Sequence, residues 1–426
     1  MNLTWFSVGQ AQEHRFMKTL HLPAIALLLS AALALQAAAT RPNIILVMTD
    51  DQGYGDLACH GHPFIQTPNL DKLHRESTRF TDFQVSATCS PTRAALLSGR
   101  HPFKCGVTHT LLEHNSRFVR TEGYCTDVFF DQALSWVHQN KDRPFFAYIP
   151  TNAPHLPYLV AEKYKQLYTG KCKDRPAAFL GMITNIDENM GRLMGKLDEW
   201  NLADNTLLVF MTDNGTSGGA DIFNAGMKGR KATIHGGATR VPLFLKLPGR
   251  IKPGVDIDRL ARHYDLFPTL ADYAQVKVPA AYPVDGRSLK PLIDDPESEW
   301  PDRLTFFHLG RWAKKDAPPR FSRGNSNPDD FKLKKFAVRN QRWRLVGPDT
   351  LYDMQANPGE QHNVADQHPE VVKRMLQAYE AWWDEVRPLM INEDATLDTG
   401  KPFIERYRRQ EKEEGIPLWK PAPGSQ

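Results

Sequence analysis

Two acidic pairs are placed where they could meet. Asp50-Asp51 follows the apolar run Asn43 to Met48, and Asp213-Asn214 follows the run Leu207 to Met211. The two endings nearly coincide, V-M-T-D-D-Q-G and F-M-T-D-N-G. Carboxylates brought that close repel unless a cation neutralises them, and hard oxygen donors suit calcium or magnesium. Either pair alone reads as a loop or a helix cap. Two matching pairs at the ends of buried strands favour a metal, because open α/β sheets bind ligands beyond the carboxyl ends of their strands. A third group, Cys89-Ser90-Pro91-Thr92-Arg93, opens a helix. Pro91 suits the first turn, Ala94-Ala95-Leu96-Leu97 propagates it and Gly99 stops it. Cys89 therefore stands at or near the N-cap, where the helix dipole and free N–H groups favour an anion. Arg93, one turn on, can return to the same place. A lone cysteine is more often a packing residue, and this one is also a candidate thiolate nucleophile of lowered pKa.

The elements that must position these groups are legible as apolar runs. Asn43 to Met48, Leu207 to Met211, Phe145 to Ile149 and Val241 to Leu247 read as strands covered on both faces. Between them lie helical patterns. In Phe179 to Trp200, Ile183, Ile186, Met190, Leu193 and Leu197 recur at helical spacing. This alternation predicts an α/β fold, a central mixed, mostly parallel sheet with helices on both faces. After Pro291 the texture changes. Asp294 to Asp302 reads as a linker, Arg311 to Asp330 as a loop, and Phe336 to Arg339 with Arg342 to Val346 as a hairpin around Asn340-Gln341. Leu351 to Asp353 adds a short strand, and Pro369 to Trp383 a helix with Val372, Met375, Leu376, Tyr379 and Trp382 on one side. That is a small antiparallel α+β subdomain. The expected organisation is a catalytic domain over 41–293, the subdomain over 303–390 and a charged, Pro-rich, mobile tail over 391–426.

Composition sets loose limits. The chain has 426 residues, 41% hydrophobic and 24% charged, which is ordinary globular usage. Its net charge of +4 is scattered, so nucleic acid is not an expected partner. Residues 1–40 read as an export signal: Lys18, then an apolar run from Leu22 to Leu35, then Ala37-Ala38-Ala39 as a cleavage site. Met17 is an alternative start. The run is short for a membrane span, so a periplasmic or secreted protein is expected rather than an anchored one. The five cysteines, Cys59, Cys89, Cys105, Cys125 and Cys172, leave at least one thiol unpaired, and their pairing is open.

The motifs together resemble a known family. C-S-P-T-R followed by A-A-L-L-S-G-R is similar to the maturation signature of type I, formylglycine-dependent sulfatases of the alkaline-phosphatase superfamily. The resemblance runs from Arg41 to about Met375 and takes in R-P-N-I-I-L-V-M-T-D-D-Q-G-Y-G-D, T-P-N-L-D-K-L, T-N-A-P-H, F-M-T-D-N-G and L-Y-D-M-Q-A-N-P-G-E. It implies an alkaline-phosphatase-like fold and a sulfuric ester hydrolase. By that resemblance Asp50, Asp51, Asp213 and Asn214 are calcium ligands. Cys89 is the formylglycine precursor, made so by a formylglycine-generating or other maturing enzyme, and its hydrate also binds the metal. Arg93 holds the formylglycine. His155, in Asn152-Ala153-Pro154-His155, stands beside the sulfate, and Lys231, in Lys231-Ala232-Thr233-Ile234-His235-Gly236-Gly237, clasps it. A backbone-bonded loop histidine and a solvated surface lysine are the plain alternatives. Lys228 is a fallback out of phase with the motif. The implied substrate is a sulfated small molecule or carbohydrate.

One segment departs from the family pattern. Relatives carry G-K-W-H-L-G after the G-V-T-H region, and its lysine and histidine complete the site. Here Gly106-Val107-Thr108-His109 runs within a few residues into Thr121-Glu122-Gly123-Tyr124-Cys125, which resembles a much later family segment. The resemblance thus implies a missing internal stretch near residues 110–121. Lys104, His109 and His114 are nearby stand-ins outside any matching motif. Two rival readings follow: a non-catalytic relative that binds sulfate esters, and a metal-dependent phosphodiesterase or phosphatase of the same superfamily. The latter enzymes use two metals held by several histidines, a set this sequence lacks.

Overall fold

A computed structural model describes residues 41–101, 117–310, 327–390 and 402–420. In chain order the first half forms β1 (Asn43–Thr49), α1 (Pro68–Arg75), β2 (Thr78–Phe80), β3 (Phe83–Gln84), α2 (Cys89–Ser98), α3 (Cys125–Asn140), β4 (Phe146–Pro150) and α4 (Asp174–Glu199). The second half forms β5 (Thr206–Thr212), β6 (Leu243–Lys246), β7 (Val255–Ile257), β8 (Ala261–Arg262), α5 (Leu266–Tyr273), β9 (Thr305–His308), β10 (Phe336–Arg339), β11 (Trp343–Val346), β12 (Thr350–Asp353), α6 (Pro369–Val386) and α7 (Pro402–Glu413).

Every residue of β1 and β5 is buried, as their unbroken apolar runs predict. Alternate side chains serve opposite faces. Ile44, Leu46 and Met48, with Leu207, Val209 and Met211, pack with Leu96 of α2 and Leu266 of α5. Ile45, Val47, Leu208 and Phe210 pack with Leu70 of α1, Phe130 and Leu134 of α3, and Ile186, Met190 and Leu193 of α4. The sheet order is β4-β1-β5-β6-β2-β7. β4, β1 and β5 are mutually parallel, β6 runs antiparallel between β5 and β2, and β7 is parallel to β2. The sheet is therefore mixed and mostly parallel. The strand expected from Val241 begins at Leu243, past Pro242, whose missing N–H cannot join a ladder. The sequence patterns missed β2 and β7, three residues each.

The register of β1 on β5 decides where the acidic pairs go. Thr49 pairs with Thr212, and the Asp213 N–H donates to the Thr49 carbonyl at 3.1 Å. The two runs thus end side by side. α2 starts at Cys89, with Thr88 as an extended N-cap, and stops at Gly99. Gly99 has φ 65°, a left-handed conformation that favours glycine, and its N–H returns to the Ala95 carbonyl at 2.9 Å.

The C-terminal part forms a four-stranded sheet in the order β12-β11-β10-β9, antiparallel throughout. The hairpin around Asn340-Gln341 is present, and β9 is an added strand from a stretch the sequence left without an element. Helix α6 buries Val371, Met375, Tyr379, Trp382, Trp383 and Val386 against Phe336, Val338, Leu345 and Leu351. The expected Val372 and Leu376 lie at the margin of that face. The tail expected to be mobile contains α7, of 12 residues. Gln410 on α7 accepts from the Phe118 N–H at 2.8 Å and donates to the Phe118 carbonyl at 2.9 Å. The Arg120 carbonyl accepts from the Trp419 N–H at 2.8 Å. These bonds seat the described part of the tail, 402–420, against residues 117–120.

The Trp383 indole is fully buried and donates to Asp329 at 2.8 Å. Trp383→Ala should lower stability by about 3–5 kcal/mol through the cavity it leaves. Urea unfolding followed by intrinsic fluorescence and circular dichroism measures this; an unchanged midpoint would contradict the packing of α6.

Candidate active site

The ends of β1 and β5 and the start of α2 converge. Asp51 takes a left-handed conformation, φ 70°, which Asp tolerates better than bulky residues, and this turns its N–H onto Asp213 Oδ1 at 3.1 Å. Asn214 donates to Asp51 Oδ1 at 2.9 Å. Gly215 leaves room for the chain that follows: a Cβ there would lie 1.8 Å from the Gly237 carbonyl oxygen. That close approach brings the 229–237 loop over the end of β5. The Lys231 N–H donates to the Thr216 carbonyl at 3.1 Å and the Ala232 N–H to the Ala87 carbonyl at 2.9 Å. The loop is thereby tied to the segment leading into Cys89, and Lys231 pairs with Asp51.

Arg93 reaches back along α2. Its Nε and Nη2 donate to Asp213 Oδ2 at 3.1 and 3.0 Å, and Nη2 also donates to the Thr151 carbonyl and lies 3.4 Å from Asp50. His155 stands at the rim, its Nε2 3.7 Å from Asp51 Oδ2. Its Nδ1 lies 2.8 Å from the Leu156 carbonyl, so Nδ1 carries the proton as a donor and Nε2 faces the carboxylate. All eight expected residues, Asp50, Asp51, Cys89, Arg93, His155, Asp213, Asn214 and Lys231, thus line one site. Lys228 does not: its Nζ donates to the Tyr352 hydroxyl at 3.0 Å. Lys104, His109 and His114 lie outside the described residues.

The donor set suits a hard cation. Donor atoms of Asp50, Cys89 and Asp213 lie within 4.8 Å of one another, as do those of Asp50, Asp51 and His155. Asp50 Oδ1 and Asn214 Oδ1 are buried without a hydrogen-bond partner. Buried polar atoms are nearly always satisfied, so these two oxygens fit a cation that accepts both. Burial, then the Asp213 and Asp51 charges, push the Asp50 carboxyl up to about 9. Burial also raises Asp213. The Cys89 thiol is raised by burial and then by Asp50 and Asp213, which opposes the low-pKa thiolate that a helix start alone suggested. Only one histidine, His155, joins these carboxylates among the described residues, so the two-metal, many-histidine reading lacks its ligands.

The C-terminal sheet contributes residues that sequence reasoning did not single out. Arg344 of β11, fully buried, donates to the Ile234 carbonyl at 2.5 Å and to the Thr239 hydroxyl at 3.1 Å. Glu360 accepts the Gly236 N–H at 2.6 Å, meets His235 Nδ1 at 2.5 Å and lies 3.6 Å from Arg344. Burial alone would raise the Glu360 carboxyl, but Arg344, then His235 and the Gly236 N–H, hold it below the usual range. These groups brace the loop that carries Lys231. The available signal was Glu360 inside L-Y-D-M-Q-A-N-P-G-E, a motif to which no role had been attached.

The raised Asp50 carboxyl makes metal affinity depend on pH. In metal-free protein the fold binds this proton more tightly than the unfolded chain does. The associated stability is therefore full below about pH 4 and is lost as pH rises toward about pH 9. A cation replaces the proton, so calcium should raise the melting temperature more at about pH 8 than at about pH 5. Asp213→Ala should remove the response. Equal melting with and without calcium or magnesium at both pH values would refute the site.

Comparison with known proteins identifies the family. The family profile described as Sulfatase matches residues 42–120 and 111–276, two pieces that meet at the segment where the motif order breaks. A second profile, described as N-sulphoglucosamine sulphohydrolase, C-terminal, matches residues 230–382. Arylsulfatase A of Homo sapiens is 27% identical over an alignment of 467 residues that covers 82% of this chain and 89% of the relative. That alignment is longer than the 426 residues present here, so the relative holds residues with no counterpart in this chain. N-acetylglucosamine-6-O-sulfatase of Bacteroides thetaiotaomicron is 22% identical, covering 81% of this chain and 87% of the relative. Among solved structures, that of Ps i-CgsB in complex with k-i-k-neocarrahexaose superposes with a TM-score of 0.72 at 23% identity, covering 88% of this chain and 98% of the other. With the profile spanning more than half of the sequence, this chain belongs to the sulfatase family of sulfuric ester hydrolases.

Proposed function

We propose that the protein cleaves sulfate esters of carbohydrates through a formylglycine made from Cys89, with calcium held by Asp50, Asp51, Asp213 and Asn214. The observation that carries this reading is the convergence of Cys89 on the Asp50 and Asp213 carboxylates, with Arg93 and Lys231 as the flanking cations. The formylglycine supplies a hydrated aldehyde as nucleophile toward sulfur, and calcium supplies electrophilic polarisation of the sulfuryl oxygens. Lys231 offsets charge that develops on those oxygens. Arg93 holds Asp213 and the reacting end of α2 in register. His155 keeps its Nδ1–H on the Leu156 carbonyl, and as the imidazolium, with a second proton at the inward Nε2, it gives that Nε2 proton to the departing alcohol or phenol and returns to the neutral ring. Support for a carbohydrate comes from the relative named N-acetylglucosamine-6-O-sulfatase and from the k-i-k-neocarrahexaose in complex with a structural neighbour.

We further infer export to the periplasm or outside the cell, resting on Lys18 and the apolar run Leu22 to Leu35. No helix among the described residues is long and apolar enough to cross a membrane. A formylglycine-generating or other maturing enzyme would act on Cys89 in the C-S-P-T-R segment. By the family resemblance, the stretch expected near residues 110–121 would carry a lysine that supports the formylglycine and a histidine that takes the proton in the later half of turnover; the match of the family profile in two pieces, 42–120 and 111–276, supports its loss here. Attack and alcohol departure use groups present here.

Protein made with a formylglycine-generating enzyme should carry the aldehyde at Cys89 by peptide mass spectrometry. An unmodified thiol, under conditions that convert a control sulfatase, would count against the mechanism. Mixed with an aryl sulfate, the matured protein should release up to about one equivalent of phenol and then slow by roughly 10²–10⁴, the usual contribution of a general base. Cys89→Ala should abolish the burst and spare the fold. Sustained turnover at ordinary rates would show that another residue replaces the missing pair. Absence of a burst, with sulfate-ester binding kept, would establish a binding protein.

A further inference from the structure

A second group of metal-binding side chains lies apart from the acidic site. Cys59 and His60 sit on the short helical turn Ala58–His60, and His74 on the last turn of α1. One donor atom from each lies within 4.8 Å of the other two. All three are half-buried. The rings are held by packing: His60 stacks on Tyr54 with centroids 3.9 Å apart, and both His60 and His74 meet Phe244 edge-on, at 5.7 and 5.2 Å.

The hydrogen bonds leave ligand atoms to spare. His60 Nδ1 lies 2.6 Å from the Tyr54 carbonyl. A carbonyl only accepts, so Nδ1 carries the proton and Nε2 keeps its lone pair. A histidine that donates its other N–H to a backbone carbonyl is the usual arrangement of a metal ligand. His74 Nδ1 lies 3.2 Å from Arg79 Nη1. Arg79 also holds Asp256 at 2.6 Å, the Gly254 carbonyl at 3.1 Å and the His74 carbonyl at 3.3 Å, so it keeps its place if His74 turns to a metal. Burial lowers the pKa of both histidines, that of His60 to about 3, which leaves neutral imidazoles at physiological pH. The Asp71 carboxylate, which accepts the Cys59 N–H at 3.0 Å, lies alongside, and burial, then this carboxylate, raise the Cys59 thiol, so a cation must displace its proton.

We propose that Cys59, His60 and His74 form a binding site for zinc or a cation of similar softness, separate from the oxygen-lined site. One thiolate and two imidazoles match zinc, whose tetrahedral shell places ligand atoms about 3.5 Å apart. The three donor atoms, within 4.8 Å of one another, would draw together on binding. On binding, the Cys59 thiol gives its proton to solvent, its sulfur bonds the cation, and His74 exchanges the Arg79 hydrogen bond for a metal bond. The acidic site has hard oxygen donors and this one has sulfur and nitrogen, so the two select different ions. The site would staple the turn that follows Asp50 and Asp51 to α1.

Cobalt is the probe, because thiolate ligation gives it an intense near-ultraviolet charge-transfer band. Chelator-treated full-length protein, with calcium in excess to fill the oxygen site, should develop that band with about one equivalent of cobalt and lose it to zinc. Cys59→Ser should abolish the band and Cys89→Ser should keep it. His60→Ala and His74→Ala should each weaken cobalt affinity at least tenfold. In unaltered protein, zinc should protect Cys59 from alkylation, read by peptide mass spectrometry, while Cys125 and Cys172 stay reactive. No band in the unaltered protein, a band that survives Cys59→Ser, or equal alkylation of Cys59 with and without zinc would each overturn the proposal.

Discussion

Three carboxylates crowd into one buried corner, and their mutual repulsion is the constraint around which the rest of the molecule is arranged. Asp213 is fully buried, Asp51 nearly so, and Asp50 carries an oxygen with no hydrogen-bond partner. Arg93 and Lys231 offset part of this charge, yet Asp50 still stands far above the ordinary carboxylate range. Such an arrangement stores unfavourable energy in metal-free protein, which a bound cation would relieve. The parallel register of β1 on β5 forces the crowding. The start of α2 supplies the arginine, and the close passage of Gly215 under Gly237 supplies the lysine.

Lys231 depends on a part of the chain that offers no ligand. Its loop is gripped from the far side by Arg344 and Glu360, a buried ion pair of the C-terminal sheet. A buried pair like this is weak evidence for stability, because desolvation consumes much of the attraction. Its role here is positional. The guanidinium takes the Ile234 carbonyl and the carboxylate takes the Gly236 N–H, so both hold the loop's backbone from this side. This ties the small antiparallel domain to the chemistry at the end of the large sheet.

The opposite border of that sheet is less well covered. β4 is the edge strand, and Phe146 on it is 48% exposed. Trp136, Phe129, Phe118 and Trp419 line a cavity of about 630 Å³ beside it. Apolar side chains along an edge strand mark a surface that other chain normally covers. The two pieces of the family match overlap at 111–120, directly before this region.

The sequence by itself determined the buried strands, the helix at Cys89 and the carboxylate-bearing strand ends, because each is written in local chemistry, whereas His155 and Lys231 are singled out only by the family resemblance. Unbroken apolar runs specify strands covered on both faces, proline and glycine bound α2, and acidic pairs after strands mark ligand ends. It also specified the C-terminal hairpin, through two short runs around Asn340-Gln341. Tertiary structure alone decided the rest. The three-residue strands β2 and β7 exist only because neighbouring strands pair with them, and α7 is ordered by bonds to Phe118, almost 300 residues away in sequence. Lys231 and Lys228 are the same residue type three positions apart. One meets Asp51 and the other meets Tyr352, because the loop between them is bent by contacts from three separate segments. The group formed by Cys59, His60 and His74 likewise joins a turn to a helix fourteen residues on. No local pattern encodes such meetings, since they depend on how the chain returns to itself.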